Sequence, residues 1–421
     1  MLDIKFIREN PELVREGLKD KGSKFDLDSF IRLDEQRRQF IVEIDNLRAR
    51  QNTLNNEVSS LLKDKQDPKE KIAQSKENSK KLAEIEEQFK EVKKDFQSQL
   101  LNIPNLPHES VPKGDAFHNK IKKTWGKPKK FKFKPLDHIE IAERLDIIDF
   151  KRAAKITGSN FILFKGQGAR LERALINFML DLHTRKHNYK EIFPPFLVNR
   201  ASMTTTAQLP KLEEDMYRLR DDDYFLIPTA EVPLTNIYSD EILDENSLPL
   251  RFTAYTACFR KEAGSYGKDT KGLARVHQFD KVELVKFVKP KDSYIELDKL
   301  LGNACKVIEL LEIPYRVIVL SSQEISFAAA KCYDIEIYAP GIDKWLEVSS
   351  CSNFEDFQAR RGNIRYREEK TKKIQFVHTL NGSGVALARL VIAILENYQQ
   401  KDGFVLIPKA LKRYMDGKKR V

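Results

Sequence analysis

The sequence predicts an α+β protein in two parts. An N-terminal antiparallel helical coiled-coil arm comes first, then a larger domain on a mostly antiparallel β-sheet with flanking helices. Three observations carry the prediction. Apolar residues recur every seventh position at Leu33, Phe40, Leu47, Leu54 and Leu61, which is the seam of a long coiled-coil helix. A proline- and lysine-rich stretch over 105–135 follows a second helical stripe and reads as a linker with little regular structure. Beyond it, short apolar runs joined by turn residues alternate with helical stretches without a repeating βαβ period, as in an antiparallel sheet with grouped helices.

Residues 1 to about 26 read as a short helix and turn, with Pro11 suited to a first helical position. From Leu27 the heptad seam begins, with Ile44 and Val58 as its second positions. At 1.5 Å rise, a helix of about 38 residues reaches on the order of 55 Å. Asp67-Pro68 breaks it. Leu82, Ile85, Phe89, Val92, Phe96 and Ile103 then repeat by threes and fours, so a second helix returns along the first. The arm spans about 27–103. Lysines gather near its tip, among them Lys63, Lys65, Lys69, Lys71, Lys76, Lys80 and Lys81. A solvated tip and an RNA-phosphate contact both account for them. In the second part, 169–186, 292–311 and 384–399 read as helices. Strands are expected at 224–227, 252–260, 279–287, 315–320, 333–338 and 345–349.

Composition narrows the function classes. The net charge of +11 and the pI near 9.2 suit a polyanionic partner, with nucleic acid the favoured class. Four cysteines without a C-x-x-C pair argue for a reducing compartment and against a zinc ribbon. The start of the chain lacks the apolar run of a signal peptide, and no stretch approaches membrane-spanning length. There is no Walker loop, no strand-linked G-x-G-x-x-G and no G-x-S-x-G elbow. His183 and His187, four apart near a helix end, lack the glutamate of a zinc motif and read as surface histidines.

The stretch 256–286 is different: an apolar strand, a basic glycine-punctuated loop with Gly264, Gly267 and Gly272, and a second apolar strand. Arg260 and Glu262 close the first strand and Glu283 sits in the second. An arginine fork grips phosphate and a carboxylate grips an amine. Together with Thr229, Glu231, Glu347 and Arg389, these dispersed charges suit phosphoryl or nucleotidyl transfer, in which positioning and electrostatics do the catalysis. The alternative is a set of structural salt bridges and a solvated hairpin tip.

Ordered motifs make the chain recognisable. IPNLPHESV (103–111), DFKRAAKITGSNF (149–161), YKEIFPPFLVN (189–199), PTAEVPLTN (228–236), CFRKEAGS (258–265), VHQFDKVE (276–283), WLEVSSCSN (345–353) and HTLNGSGVALAR (378–389) occur in that order. The chain resembles the bacterial-type seryl-tRNA synthetases, which are class II aminoacyl-tRNA synthetases, over nearly its full length. The resemblance implies a tRNA-binding domain over 1–104, a linker over 105–135 and a class II catalytic domain over 136–421. It also implies a cytoplasmic homodimer that makes seryl-adenylate from L-serine and ATP and passes the seryl group to the 3′ end of tRNA(Ser), with tRNA(Sec) an open second substrate.

By residue-for-residue carry-over, Arg260 is expected at the α-phosphate and the serine carboxylate, and Arg389 at the γ-phosphate. Lys261, Glu262, Val276, Phe279, Glu347, Val348, Ser349 and Ser350 complete the ATP site, with Phe279 stacked on adenine. Thr229, Ala230, Glu231, Glu283, Asn381 and Ser383 line the serine pocket. Glu347 and Ser350 are the expected Mg²⁺ ligands, and no structural zinc is expected. Thr205, Ala207 and Ala388 stand where the family has glycines, and Ser322-Gln323-Glu324 where it has Thr-Gly-Asp. These departures bear on fine specificity and rate. Two other readings stand beside this one: a ligase that charges a carrier protein, opposed by the arm, and a non-enzymatic RNA binder, opposed by Arg260, Glu283, Glu347 and Arg389.

Overall fold

The computed structural model describes residues 1–262 and 272–421. The tip of the basic hairpin, including Gly264, Gly267, Lys268 and Lys271, lies outside the described residues. The chain divides into a helical unit (Leu2–Lys19 with Ser23–Pro104) and a sheet-based unit (Asn105–Val421 with Met1 and Asp20–Gly22).

The helical unit holds α1 (Ile4–Glu9), α2 (Pro11–Asp20), α3 (Leu27–Lys63) and α4 (Lys69–Leu101). Asp26 caps α3 by accepting from the Ser29 amide, and the helix closes at Asp64, just before the break. Helices α3 and α4 run antiparallel: Glu57 pairs with Lys71 near the tip, Glu43 with Lys81 further down, and Phe30 stacks on Phe96 at the base, 5.3 Å between centroids. Ile44, Leu47 and Leu54 are buried as the heptads require. One turn of the seam is polar. Asn78 is buried there, and its amide donates to the Leu47 carbonyl at 3.0 Å and to Gln51 Oε1 at 2.9 Å.

The sheet-based unit begins with β1 (Lys120–Trp125), α5 (His138–Arg144), α6 (Phe150–Thr157), α7 (Gln167–Lys186), β2 (Lys190–Glu191), β3 (Leu197–Asn199) and α8 (Arg200–Thr205). It continues through β4 (Tyr224–Leu226), α9 (Glu231–Thr235), β5 (Ile242–Asp244), β6 (Leu250–Phe259), β7 (Gln278–Val288) and α10 (Ser293–Leu310). β8 (Tyr315–Val319), β9 (Lys331–Ala339), β10 (Lys344–Asn353), α11 (Phe357–Gly362), β11 (Arg365–Arg367), β12 (Ile374–Phe376), β13 (His378–Ala386) and α12 (Leu387–Tyr398) complete it. The main sheet has the order β1-β8-β9-β10-β13-β7-β6-β2, and every neighbouring pair but β2–β6 is antiparallel.

Alternation along β7 decides what each sheet face does. Val282 and Leu284 join the core built with α7, α10 and α12, whereas Val285 and Phe287 join a second core with α9 and α11. Phe279, Lys281 and Glu283 share the second face.

Two expectations are corrected here and one is sharpened. The stretch 105–135, expected to hold little regular structure, contains one strand of the main sheet. Lys120–Trp125 forms the edge strand β1 against β8, with Trp125 stacked on Tyr315 at 5.7 Å. Its exposed lysines disguise it as linker, yet charged residues are what edge strands carry. The helix expected from Gly384 starts only at Leu387, because His378–Ala386 is a central strand. Its glycines serve close packing: a Cβ on Gly382 would stand 2.2 Å from Leu300 Cδ2. His183 is fully buried on α7 rather than at the surface. It stands four residues after the buried Met179, on the apolar stripe.

Candidate active site

A cavity of about 700 Å³ opens on the β7 face that carries Phe279 and Lys281. The β6–β7 register sets its floor: Cys258 pairs with Phe279, Thr256 with Lys281 and Ala254 with Glu283. Next to β7, β13 aligns Ser383 with Glu283 and Asn381 with Val285. Two irregularities shape the walls, one in β10 between Glu347 and Ser349 and one in β13 between Ser383 and Val385. Residues three apart on a regular strand face opposite ways. The β10 bulge turns Glu347 and Ser350 to one side, so Ser350 Oγ donates to Glu347 Oε1 at 3.1 Å.

At one end stand an aromatic ring and three arginines. The Arg260 guanidinium lies 5.2 Å from the Phe279 ring centroid, and its Nε donates to the Pro228 carbonyl at 3.4 Å. Its backbone is clamped on both sides. The amide donates to the His277 carbonyl at 2.8 Å, and the carbonyl lies 3.0 Å from His277 Nδ1. Arg275 donates to Glu262 Oε2 at 2.7 Å, and Glu262 has a left-handed φ of 52°. Arg389 donates to the Glu347 carbonyl at 2.6 Å and to the Ala274 carbonyl at 3.2 Å, and its guanidinium stands 3.7 Å from Glu347 Oε2.

Beside Glu347 the charge is in excess. Ser350 Oγ, which has one hydrogen to give, also lies 2.6 Å from Asp334 Oδ1. Burial and the neighbouring Glu347 charge push the Asp334 carboxyl up to about 7. Hard oxygen donors with surplus negative charge fit a divalent cation. Among the described residues no three His, Cys, Asp or Glu side chains form a metal cluster by themselves, so such an ion would take its remaining ligands from a phosphate or water.

The other end is a buried polar network. Glu231 accepts from Gln358 Nε2 at 2.7 Å and from Asn381 Nδ2 at 2.9 Å, and Thr379 Oγ1 fixes Gln358 by donating to its Oε1 at 2.8 Å. Burial, reinforced by the charge of Glu283, pushes the Glu231 carboxyl up to about 7. Glu283 is fully buried. Its Oε2 accepts from Thr229 Oγ1 at 2.8 Å and pairs with the Lys281 ammonium, while its Oε1 has no hydrogen bond.

The structure gathers most of the sequence-derived residues around this one cavity. Thr229, Glu231, Arg260, Glu262, Val276 and Phe279 border it from β6, β7 and the segments beside them. Glu347, Val348, Ser349, Ser350, Asn381, Ser383 and Arg389 border it from β10, β13 and α12. Ala230 and Lys261 do not reach the wall, and Glu283 stands behind Thr229 and Lys281. Lys281 and Gln358 were missed. For Lys281 the signal was present: it lies midway between Phe279 and Glu283 on one strand face. For Gln358 there was none, because only the packing of α11 on β13 brings it to Glu231. Of the departures, Ala207 lines the cavity at φ 67° and Ala388 lines it beside Arg389, whereas Glu324 is exposed and away from it.

Two family models match the chain. One describes the seryl-tRNA synthetase N-terminal domain and matches residues 1–107; the other describes the tRNA synthetase class II core domain (G, H, P, S and T) and matches residues 213–398. The chain is 54% identical over 422 residues to a serine–tRNA ligase of Trichlorobacter lovleyi, covering 100% of both chains. It is 53% identical over 416 residues to that of Carboxydothermus hydrogenoformans, covering 99% of this chain and 98% of the relative. Among solved structures, the seryl-tRNA synthetase of Pyrococcus horikoshii complexed with ATP superposes with a TM-score of 0.93 at 39% identity, over 100% of this chain and 99% of that one.

Proposed function

The chain belongs to the seryl-tRNA synthetase family, and on that premise we infer that it is a serine–tRNA ligase, an aminoacyl-tRNA synthetase that joins L-serine to tRNA at the expense of ATP. The observation that carries the reading is one strand face. Phe279, a flat ring for a nucleobase, and Glu283, a carboxylate for an ammonium, lie on the same side of β7, and Arg260 reaches over from β6. A nucleotide and an amino acid laid along that face meet near Arg260.

Residue roles follow from chemistry and position. Phe279 stacks on the adenine. Glu262, Val276 and the backbone from Glu347 to Ser350 frame the nucleotide, with Lys261 next in the chain. Arg260 spans the α-phosphate and the serine carboxylate, screening the repulsion between two anions as the carboxylate attacks phosphorus. Pyrophosphate leaves along Arg389, which holds the γ-phosphate. Thr229, Glu231, Asn381 and Ser383 bind the amino acid together with Glu283, and Ala230 carries the turn between Thr229 and Glu231. A pocket built from acceptors for an ammonium and a hydroxyl disfavours alanine, which leaves one of them unpaired. Glu347 and Ser350 would hold Mg²⁺, whose charge would neutralise the phosphates. In the second step the terminal ribose hydroxyl of the tRNA attacks the activated carbonyl, and AMP leaves. No protein nucleophile is required.

In this reading residues 1–104 bind tRNA through the arm of about 27–103, the 105–135 stretch connects, and 136–421 catalyse. The enzyme works as a homodimer in the cytoplasm, the arm of one subunit serving the active site of its partner. Serine-dependent ATP–pyrophosphate exchange tests the activity: exchange with serine and little with alanine or glycine is expected. No exchange with serine, or equal exchange with alanine, overturns it. Charging of tRNA(Ser) and tRNA(Sec) transcripts in parallel settles the second substrate.

A further inference from the structure

Buried lysine ammoniums are rare unless paired, and Lys281 is 4% exposed at the amino-acid end of the cavity. Its ammonium donates to Thr229 Oγ1 at 2.8 Å and pairs with Glu283 Oε2. Thr229 has one hydroxyl hydrogen and gives it to the same Oε2 at 2.8 Å. Lys281 and Thr229 therefore hold one oxygen of Glu283 from two sides, and Oε1 is left buried with no hydrogen bond. Lys281 borders the cavity, whereas Glu283 stands behind it.

Among the described residues, the charges around this lysine are few. Helix α9 supplies Glu231, β6 holds the buried Cys258 thiol, which burial pushes up, and is followed by Arg260, and β7 supplies Glu283. Strand β13 and helix α11 bring only the neutral Asn381, Ser383 and Gln358. Two carboxylates against one lysine leave a single uncompensated negative charge, with Arg260 set apart for a carboxylate. A zwitterionic amino acid has the matching charges: its ammonium meets the surplus and its carboxylate meets the arginine. Lys281 also acts on Glu231, whose carboxyl is raised by Glu283 and lowered by Lys281.

We propose that Lys281 is a positioning residue of the amino-acid site: standing between Glu283 and the cavity, it fixes that buried carboxylate through one oxygen and sets the pocket's charge so that a single ammonium neutralises it. This rests on the reading that Thr229, Glu231 and Glu283 hold serine. Without Lys281, Glu283 loses one of the two partners that orient it, and Glu231 loses a cation that favours its ionised form.

The test is serine-dependent ATP–pyrophosphate exchange by the full chain, with KM for serine and for ATP and a pH profile of kcat/KM for serine. Lys281→Met is expected to raise the serine KM on the order of 10- to 100-fold while the ATP KM stays within about twofold. The profile's inflection, set by Glu231, moves to higher pH in Lys281→Met and returns toward the parent's in Lys281→Arg. Glu283→Gln moves it the other way, to lower pH, because a negative neighbour is removed. A packing role alone moves no inflection. If Lys281→Met fails to fold by thermal melt, Lys281→Gln carries the same measurements. The proposal is overturned if the serine KM changes by less than about threefold, if the ATP KM rises in parallel, or if the inflection stays put. If Glu283→Gln leaves the serine KM at the parent value, the assignment of the serine pocket itself fails, whatever the lysine variants do.

Discussion

Glu231→Gln removes the carboxylate at the amino-acid end of the site, whose ionisation changes near neutral pH. Both carboxylate oxygens are acceptors in the structure, from Gln358 Nε2 at 2.7 Å and from Asn381 Nδ2 at 2.9 Å. A glutamine amide has one oxygen and one NH₂, so one of those contacts becomes donor against donor. Gln358 does not relieve it by turning over, because Thr379 Oγ1 donates to its oxygen at 2.8 Å. Leaving a buried donor unsatisfied costs about 1–3 kcal/mol, and losing a charged acceptor for the substrate ammonium about 1.5–3 kcal/mol more. Part of the first cost falls on folding, so a loss of about 3–4 kcal/mol in transition-state binding is the upper range, roughly 100- to 1,000-fold in kcat/KM for serine. The sign with pH follows from ionisation. The Glu231 carboxyl sits at about 7, raised by burial and by Glu283, and only its ionised form neutralises an ammonium. Parent kcat/KM for serine therefore rises with pH up to an inflection near 7 and then levels, since kcat/KM reports the free enzyme. Glu231→Gln should flatten that rise as well as lower the level. The assay is serine-dependent ATP–pyrophosphate exchange at saturating ATP between pH 6 and 9. A variant that keeps the inflection, or loses less than about tenfold, refutes the assignment of Glu231 as a charged serine acceptor.

Glu296→Leu strips the buried Lys286 ammonium of its 2.9 Å carboxylate partner and leaves it the backbone carbonyl at position 296 and the Tyr189 ring. Breaking a buried pair of this kind should cost about 3–5 kcal/mol in chemical denaturation near pH 7. Burial already lowers the Lys286 amine from 10.5 to about 8. Folding therefore releases a proton between those values, and the variant's deficit should shrink toward pH 9.5; a deficit that grows with pH contradicts this. Ala207→Gly removes a Cβ from a residue held at φ 67° and should stabilise the protein by about 0.5–1 kcal/mol, read as a raised melting temperature; a lower one means that the Cβ packing outweighs the strain. Deleting about residues 40 to 90 should abolish tRNA charging and leave serine-dependent exchange intact. Charging that survives the deletion removes the arm from tRNA recognition.

Much of the fold was legible because it repeats locally. A heptad seam can bury itself only as a long helix against another, and α3 and α4 follow from Leu33 to Ile103 with one break at Asp67-Pro68. Strands β6 and β7 were legible from their apolar runs, within two residues at each end. Elements whose composition serves a neighbour were hidden. Strand β1 is coloured by edge lysines, and β13 by glycines that admit Leu300 and His183. His183 shows the cost of reading polarity alone. Burial drives its ring to about 3, so it is neutral, and its Nδ1 lies 3.0 Å from that of His187.

The sequence by itself determined the family, the two-part organisation and the residue types of the site, because ordered motifs and periodicity are properties of neighbours along the chain. Tertiary structure decided which of those residues act together. A bulge in β10 turns Glu347 and Ser350 to one side, register across β6, β7 and β13 brings Thr229, Lys281, Glu283 and Ser383 within reach, and α11 delivers Gln358 to Glu231. Charge in a buried site acts over a few ångströms of space and is blind to sequence separation. For that reason the protonation of Glu231 and the pinning of Glu283 by Lys281 could be read only once the strands were laid side by side.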